Sequence, residues 1–157
     1  MEMLFRYNWQ VRQEWFDWCE SVSIEELLQQ RTGGVGSILY TLYHIVDVEY
    51  SWINDLRDQH SLLTDFEDYH TVAQLRALSD QLHVEVGGYV QAWTSDQENH
   101  ILHNIRKDGS SESLTYGEVM RHVIAHEIHH IGQLSIWARE LGREPVSANL
   151  IRRGLTV

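Results

Sequence analysis

Apolar residues recur at helical spacing along four long stretches of the chain, residues 4–21, 37–56, 71–93 and 115–141. In the first stretch Leu4, Trp15 and Trp18 stand among charged neighbours, a pattern typical of a helix with one buried aromatic face. The fourth stretch stops at Gly142, and Pro145, the only proline, follows it. The pattern therefore predicts four long helices.

Residues that favour helix starts precede these stretches. Ser37 and Thr71 stand where the second and third helices should begin, and each can accept a hydrogen bond from a free backbone N–H. Thr115 and Glu118 fit a capping box at the start of the fourth helix. Ser23 similarly predicts a short capped turn after the first helix.

The connections between the predicted helices differ in character. Residues 33–36 are glycine-rich and predict a loop, and residues 55–68 are acidic and irregular. Residues 98–114 predict an extended crossover that can form a small hairpin turning at the Asp-Gly pair of residues 108–109. We therefore expect an all-α protein, a four-helix bundle with one long crossover between helices three and four. Residues 1–157 are expected to form a single domain.

Composition narrows the function. The chain has 157 residues and a net charge of −11, which argues against nucleic-acid binding because phosphate contacts need clustered Lys and Arg. It contains no apolar run of membrane-spanning length and no signal-peptide core, so no membrane partner is expected. A lone cysteine, Cys19, cannot form an internal disulfide, which favours a cytoplasmic protein.

The fourth helix carries the strongest chemical signal. Four histidines, His122, His126, His129 and His130, fall within nine positions. His126 and His130 are four residues apart and share one face of a helix, so both imidazoles can reach one metal ion. His44, in the middle of the second helix, is the natural third ligand. His122 is left out because eight residues of helix, about 12 Å, separate it from His130.

Several motifs together resemble the DinB family. They occupy residues 5–9 (Phe-Arg-Tyr-Asn-Trp), 42–49 around His44, 115–119 (Thr-Tyr-Gly-Glu-Val), 126–134 (His-Glu-Ile-His-His-Ile-Gly-Gln-Leu) and 141–145. The resemblance covers nearly the whole chain and implies a four-helix bundle, commonly a homodimer. It also implies a divalent metal, nickel, zinc or iron, bound by His44, His126 and His130. Better-understood members of that family are transferases that join a low-molecular-weight thiol, such as mycothiol or bacillithiol, to an electrophile.

The leading functional prediction is therefore a metal-dependent thiol S-transferase acting in stress or detoxification. Catalytic roles are predicted for Glu127 and His129. His129 is placed to orient a ligand or meet the substrate, and Glu127 or Asp47 could accept an imidazole N–H. Two alternatives stay open: a hydrolase in which Glu127 of the H-E-x-x-H pattern activates water, and a metal-binding stress protein without enzymatic activity.

Overall fold

The computed structural model describes residues 1–59, 65–105 and 108–155, and helices dominate it. The elements in chain order are α1 (Glu2–Cys19), α2 (Ile24–Leu28), α3 (Ile38–Leu56), α4 (Val72–Gln91), β1 (Ile101–Ile105), β2 (Ser111–Thr115) and α5 (Tyr116–Glu140). Short 3₁₀ segments, Phe66–Asp68 and Ser95–Asn99, precede and follow α4. The four long predicted helices correspond to α1, α3, α4 and α5. Part of the acidic connection, residues 60–64, lies outside the described residues.

Local side-chain chemistry fixes where the helices begin. Each predicted cap accepts a hydrogen bond from a backbone N–H three residues later, at Ser23 for α2, Ser37 for α3, Thr71 for α4 and Thr115 for α5. The Glu118 carboxylate also accepts from the Thr115 N–H at 2.8 Å, which completes the predicted capping box. The predicted caps are therefore confirmed, and they set the register of α3 and α5, the two helices that carry the histidines.

The expected all-α class is wrong in one respect, because the crossover forms a two-stranded antiparallel sheet. Strand β1 pairs with β2 in the register Ile101 to Thr115 and Ile105 to Ser111. The turn uses the predicted pair: Asp108 accepts from the Ser110 N–H at 2.9 Å, and Gly109 has a φ of +84° that suits glycine. Residues 106–107 of this hairpin lie outside the described part of the chain. The structure is thus mostly helical with a small sheet.

Helix packing divides the core into two apolar clusters. Helices α1 and α3 each pack against both α4 and α5. On α5, Ile124 belongs to one cluster and Ile131 to the other, and the buried Glu127 lies between them. Arg12 of α1 and Glu49 of α3 are buried at the same level. A polar layer therefore separates the two halves of the core.

Two further expectations concern the whole molecule. In the described ranges, no helix combines the length and the apolar composition that crossing a lipid bilayer requires. The four-helix bundle arrangement and the single domain over residues 1–157 stay predictions.

Candidate metal centre

The structure brings together the three histidines that the sequence predicted as ligands. His44 lies in the middle of α3, and His126 and His130 lie one turn apart on the face of α5 that packs along α3. Their side-chain nitrogens all lie within 4.8 Å of one another. His130 is buried, whereas His44 and His126 are half-buried. The cluster is therefore held rigidly by two packed helices yet remains open on one side.

The spacing of the imidazole nitrogens suits a common ion. The Nε2 atom of His126 lies 3.1 Å from the Nε2 atom of His44 and 3.1 Å from that of His130. Two nitrogens bound tetrahedrally at about 2.0–2.1 Å from zinc would be roughly 3.3 Å apart. The observed separations are close to that value, so a small adjustment of the rings would bring them into coordination geometry.

Burial keeps these imidazoles neutral. The pKa of His126 is lowered to about 3, first by burial and then by repulsion from the charged forms of His130 and His44. The pKa values of His44 and His130 are also lowered, in each case chiefly by burial. A neutral imidazole offers the lone pair that a metal ion needs. The electrostatics of the cluster therefore favour a bound cation over three bound protons.

Gln133 orients the cluster from one turn further along α5. Its Oε1 atom accepts a hydrogen bond from the Nδ1 atom of His130 at 2.7 Å, which leaves the His130 Nε2 lone pair facing the other rings. Its Nε2 atom donates to the Nε2 atom of His129 at 2.9 Å. Gly34 in the loop before α3 presses on this amide, since a Cβ there would lie 2.6 Å from the Gln133 Oε1 atom. Gln133 thus has the role that outer-shell partners have in metal sites.

The donor set fits a divalent transition metal. Nickel, zinc and iron all accept imidazole nitrogen, and three protein ligands leave a coordination position for another molecule. Within the described part of the chain, the cluster of potential ligands contains only these three histidines. His44, His126 and His130 could therefore hold the ion, and the identity of that ion stays a prediction.

Comparison with known proteins agrees with this geometry. The model of the DinB family matches residues 1–154. The chain belongs to the DinB family. It is also 47% identical over 155 residues to the uncharacterized protein YizA of Bacillus subtilis (strain 168), an alignment that covers 99% of this chain and 96% of that protein. The resemblance inferred from the motifs is thereby confirmed.

Glu127 of this DinB-family chain does not face the imidazoles. Its carboxylate accepts two hydrogen bonds from Arg12, at 2.9 Å and 2.5 Å, and Arg12 also donates to Glu49 at 2.8 Å. The second oxygen of Glu49 accepts from the indole of Trp9 at 2.8 Å. Burial, opposed by Arg12, raises the pKa of Glu127. The catalytic role predicted for Glu127 stays a prediction, and its contacts are those of a buried structural ion pair.

The remaining histidines of the DinB-family chain lie outside the cluster. His129 is exposed and reaches His130 only through Gln133, so its predicted catalytic role also stays a prediction. His122 is exposed, and its ring centroid is 5.8 Å from that of His126. The four histidines predicted to be incidental, His70, His83, His100 and His103, are all exposed.

Sequence reasoning missed Arg12 as the partner of the two buried carboxylates. A signal was present, because Arg12 lies within the buried aromatic face of α1, between Asn8 and Trp15. A charged residue at such a position needs a charged partner inside the fold. The predicted outer-shell residue Asp47 instead accepts from the Ser51 hydroxyl at 3.4 Å, a partner on its own helix.

Proposed function

We propose that this DinB-family protein is a metal-dependent transferase that joins a low-molecular-weight thiol to an electrophile. The observation that carries the proposal is the cluster of three imidazole nitrogens, His44, His126 and His130, on a half-buried surface between α3 and α5. Three protein ligands are typical of reactive metal sites, whereas structural sites usually have four. Membership in the DinB family supports the same activity, because better-understood relatives are thiol transferases.

The chemistry of transfer requires a thiolate, and a bound divalent cation supplies it by lowering the pKa of a thiol that reaches it. His44 and the α5 pair would hold the cation. The thiol proton passes to solvent, the sulfur forms a bond to the electrophilic carbon, and the leaving group departs with the electron pair of the bond that breaks. The protein therefore contributes ligand positions and a desolvated surface for a reaction that needs no redox partner.

Gln133 and His129 have a positioning role in this proposal. The hydrogen bond from His130 to Gln133 selects the His130 tautomer whose Nε2 atom can bind a cation. The contact from Gln133 to His129 fixes the amide in that orientation. His129 would therefore act through Gln133 and His130, which sharpens the sequence prediction that it orients a ligand.

The test is a transfer assay with matched histidine variants. Zinc-loaded and nickel-loaded protein is incubated with monochlorobimane and with bacillithiol, mycothiol or cysteine, and the fluorescent thioether is measured. We expect catalysed product formation in the wild type and in His70→Ala, an exposed histidine outside the cluster. We expect His44→Ala to lose both bound metal and catalysis while circular dichroism shows that its helices remain.

Two outcomes would reject the transferase. One is metal-loaded wild type that forms no thioether above background with any of the three thiols. The other is His44→Ala with wild-type activity, which would separate the reaction from the cluster. Tight stoichiometric metal binding without transfer would instead favour the non-enzymatic metal-binding protein. The thiol, the electrophile and a homodimer are the partners that this proposal expects.

A further inference from the structure

The groove that contains the histidine cluster continues along α3 and α5 beyond His126. His122 lies one helical turn before His126 on α5, and Trp52 lies about two turns after His44 on α3. The ring centroids of Trp52 and His122 are 5.7 Å apart in an edge-to-face arrangement, and those of His122 and His126 are 5.8 Å apart. A continuous row of aromatic rings therefore leads from the cluster into this part of the groove.

A cavity of about 250 Å³ lies at the end of this row. Its lining residues come from α3, β2 and α5 and are Trp52, Glu112, Leu114, Glu118, Val119 and His122. Strand β2 closes the far end of the cavity, because Leu114 stands on it next to the start of α5. An indole, an isobutyl group and an isopropyl group form its apolar walls. Such walls bind the apolar body of a small molecule by removing its surface from water.

We propose that this cavity binds the electrophile of the transfer reaction, a compact, uncharged molecule with a single aromatic ring. The inference rests on the proposed function, and it names the substrate class of the same site. An apolar cavity of about 150 Å³ is known to hold benzene, so 250 Å³ leaves room for one substituted ring. The edge of Trp52 and the ring of His122 would contact its faces. Its reactive carbon would point along the groove towards His126.

Charge at the rim of the cavity excludes anionic electrophiles. Glu118 is exposed there, and its hydrogen bonds from Thr115 lower its pKa and keep it ionised. Glu112 accepts a hydrogen bond from Asn104 at 3.1 Å and carries a second negative charge. An anion entering this cavity would meet two carboxylates in a chain whose net charge is already −11. The rim therefore selects neutral molecules over anionic ones.

A binding experiment tests the cavity without requiring catalysis. 2,4-Dinitrotoluene has the proposed ring but no leaving group, and its affinity for the zinc-loaded full chain is measured by equilibrium dialysis. We expect Trp52→Ala to weaken binding about tenfold, the size typical of a lost aromatic contact. We expect a similar loss for Leu114→Asn, which changes a different wall. Val84→Ala removes an apolar side chain that is 74% exposed on α4 and should bind like the wild type.

A kinetic experiment tests the same cavity during transfer. With 1-chloro-2,4-dinitrobenzene, which loses chloride, Trp52→Ala should raise KM about tenfold. With iodoacetamide, which has no ring and loses iodide, its KM should stay within twofold of the wild type. Metal stoichiometry and helical content measured on each variant show whether it has folded.

The results separate the two proposals. If dinitrotoluene binds to the wild type and loses affinity in both cavity variants while no thiol is ever transferred, the cavity stands and the transferase alone is rejected. If transfer occurs but neither cavity variant changes KM for the aromatic electrophile, the inference is overturned and the transferase stands. Absence of dinitrotoluene binding to the wild type, or equal binding to both cavity variants, also overturns it.

Discussion

His126 and Glu127 are neighbours on α5, yet their environments differ in every respect that matters for chemistry. The His126 ring lies in the groove towards α3, half-buried, with its Nε2 atom 3.1 Å from two other imidazole nitrogens. Glu127 points about 100° away around the helix, is 1% exposed and has both oxygens on Arg12. One residue offers a lone pair to an incoming ligand, and the other has none to spare.

This difference shows what the H-E-x-x-H pattern alone leaves open. The pattern needs its glutamate beside the metal, where the carboxylate can activate water. In this chain the helix packed on the glutamate's side is α1, and α1 presents Arg12 there. The same five residues of sequence can therefore give a hydrolytic base or a structural ion pair, depending on the neighbouring helix. Each prediction below separates these two roles.

The largest expected effect is on stability, from removal of Glu127. Glu127→Ala leaves Arg12 with one buried carboxylate partner instead of two, and breaking such a buried pair typically costs about 3–5 kcal/mol. Urea unfolding of the metal-free protein should show this loss. Glu85→Ala is the matched control, because it removes the partner of Arg57 in a more exposed ion pair and should cost less than about 1 kcal/mol.

Glu127→Gln distinguishes the structural role from the catalytic one. The amide keeps the shape of the carboxylate but loses the charge that Arg12 needs. We expect a reduced free energy of unfolding and near-normal metal affinity in the folded protein. A stable variant that binds metal normally and has lost hydrolysis of a test ester or amide would contradict the structural role and favour the hydrolase.

A smaller effect is expected on the metal side of the helix, from loss of Gln133. Gln133→Ala removes the hydrogen bond that orients His130 and should weaken zinc binding about 10- to 100-fold, as loss of an outer-shell partner typically does. Isothermal titration calorimetry measures this directly. Gln91→Ala, an exposed glutamine at the end of α4, is the control. Unchanged zinc affinity in Gln133→Ala would show that packing alone orients His130.

Much of the fold follows from local sequence. The caps at Ser37, Thr71 and Thr115 and the apolar spacing between them locate the long helices, because both signals act within a few residues. The Asp-Gly pair at residues 108–109 likewise locates the hairpin turn. The choice between an extended crossover and a sheet was less certain, since it depends on pairing between two strands rather than on either strand alone.

The site divides in the same way. The relation of His126 to His130 is fixed by helix geometry and is readable from spacing alone. The inclusion of His44 depends on how α3 lies against α5, and here a single well-placed histidine was enough to identify it. The partners of Glu127 depend on which face of α1 meets α5, which no local pattern encodes. Arg12 was missed for that reason.

The smallest expected effect is the response of the metal-free protein to acid, and its sign follows from the lowered pKa of His126. The folded-state pKa of about 3 lies below the ordinary value of 6.5, so the unfolded chain binds a proton that the folded chain refuses. Stability is therefore unaffected above about pH 7 and falls as the pH drops below 6.5. His44 and His130, whose pKa values are also lowered, act in the same direction.

Urea unfolding between pH 7 and pH 5 measures this acid response on the histidine side of α5. After allowance for solvent screening of a half-buried group, His126 should contribute a loss of about 1 kcal/mol over that range. His126→Gln should flatten the pH dependence, whereas His70→Ala should not. Glu127 acts in the opposite sense, since its raised pKa favours the protonated, folded form. A steeper acid loss in His126→Gln than in the wild type would therefore assign the pH dependence to carboxylates and contradict the contrast between the two residues.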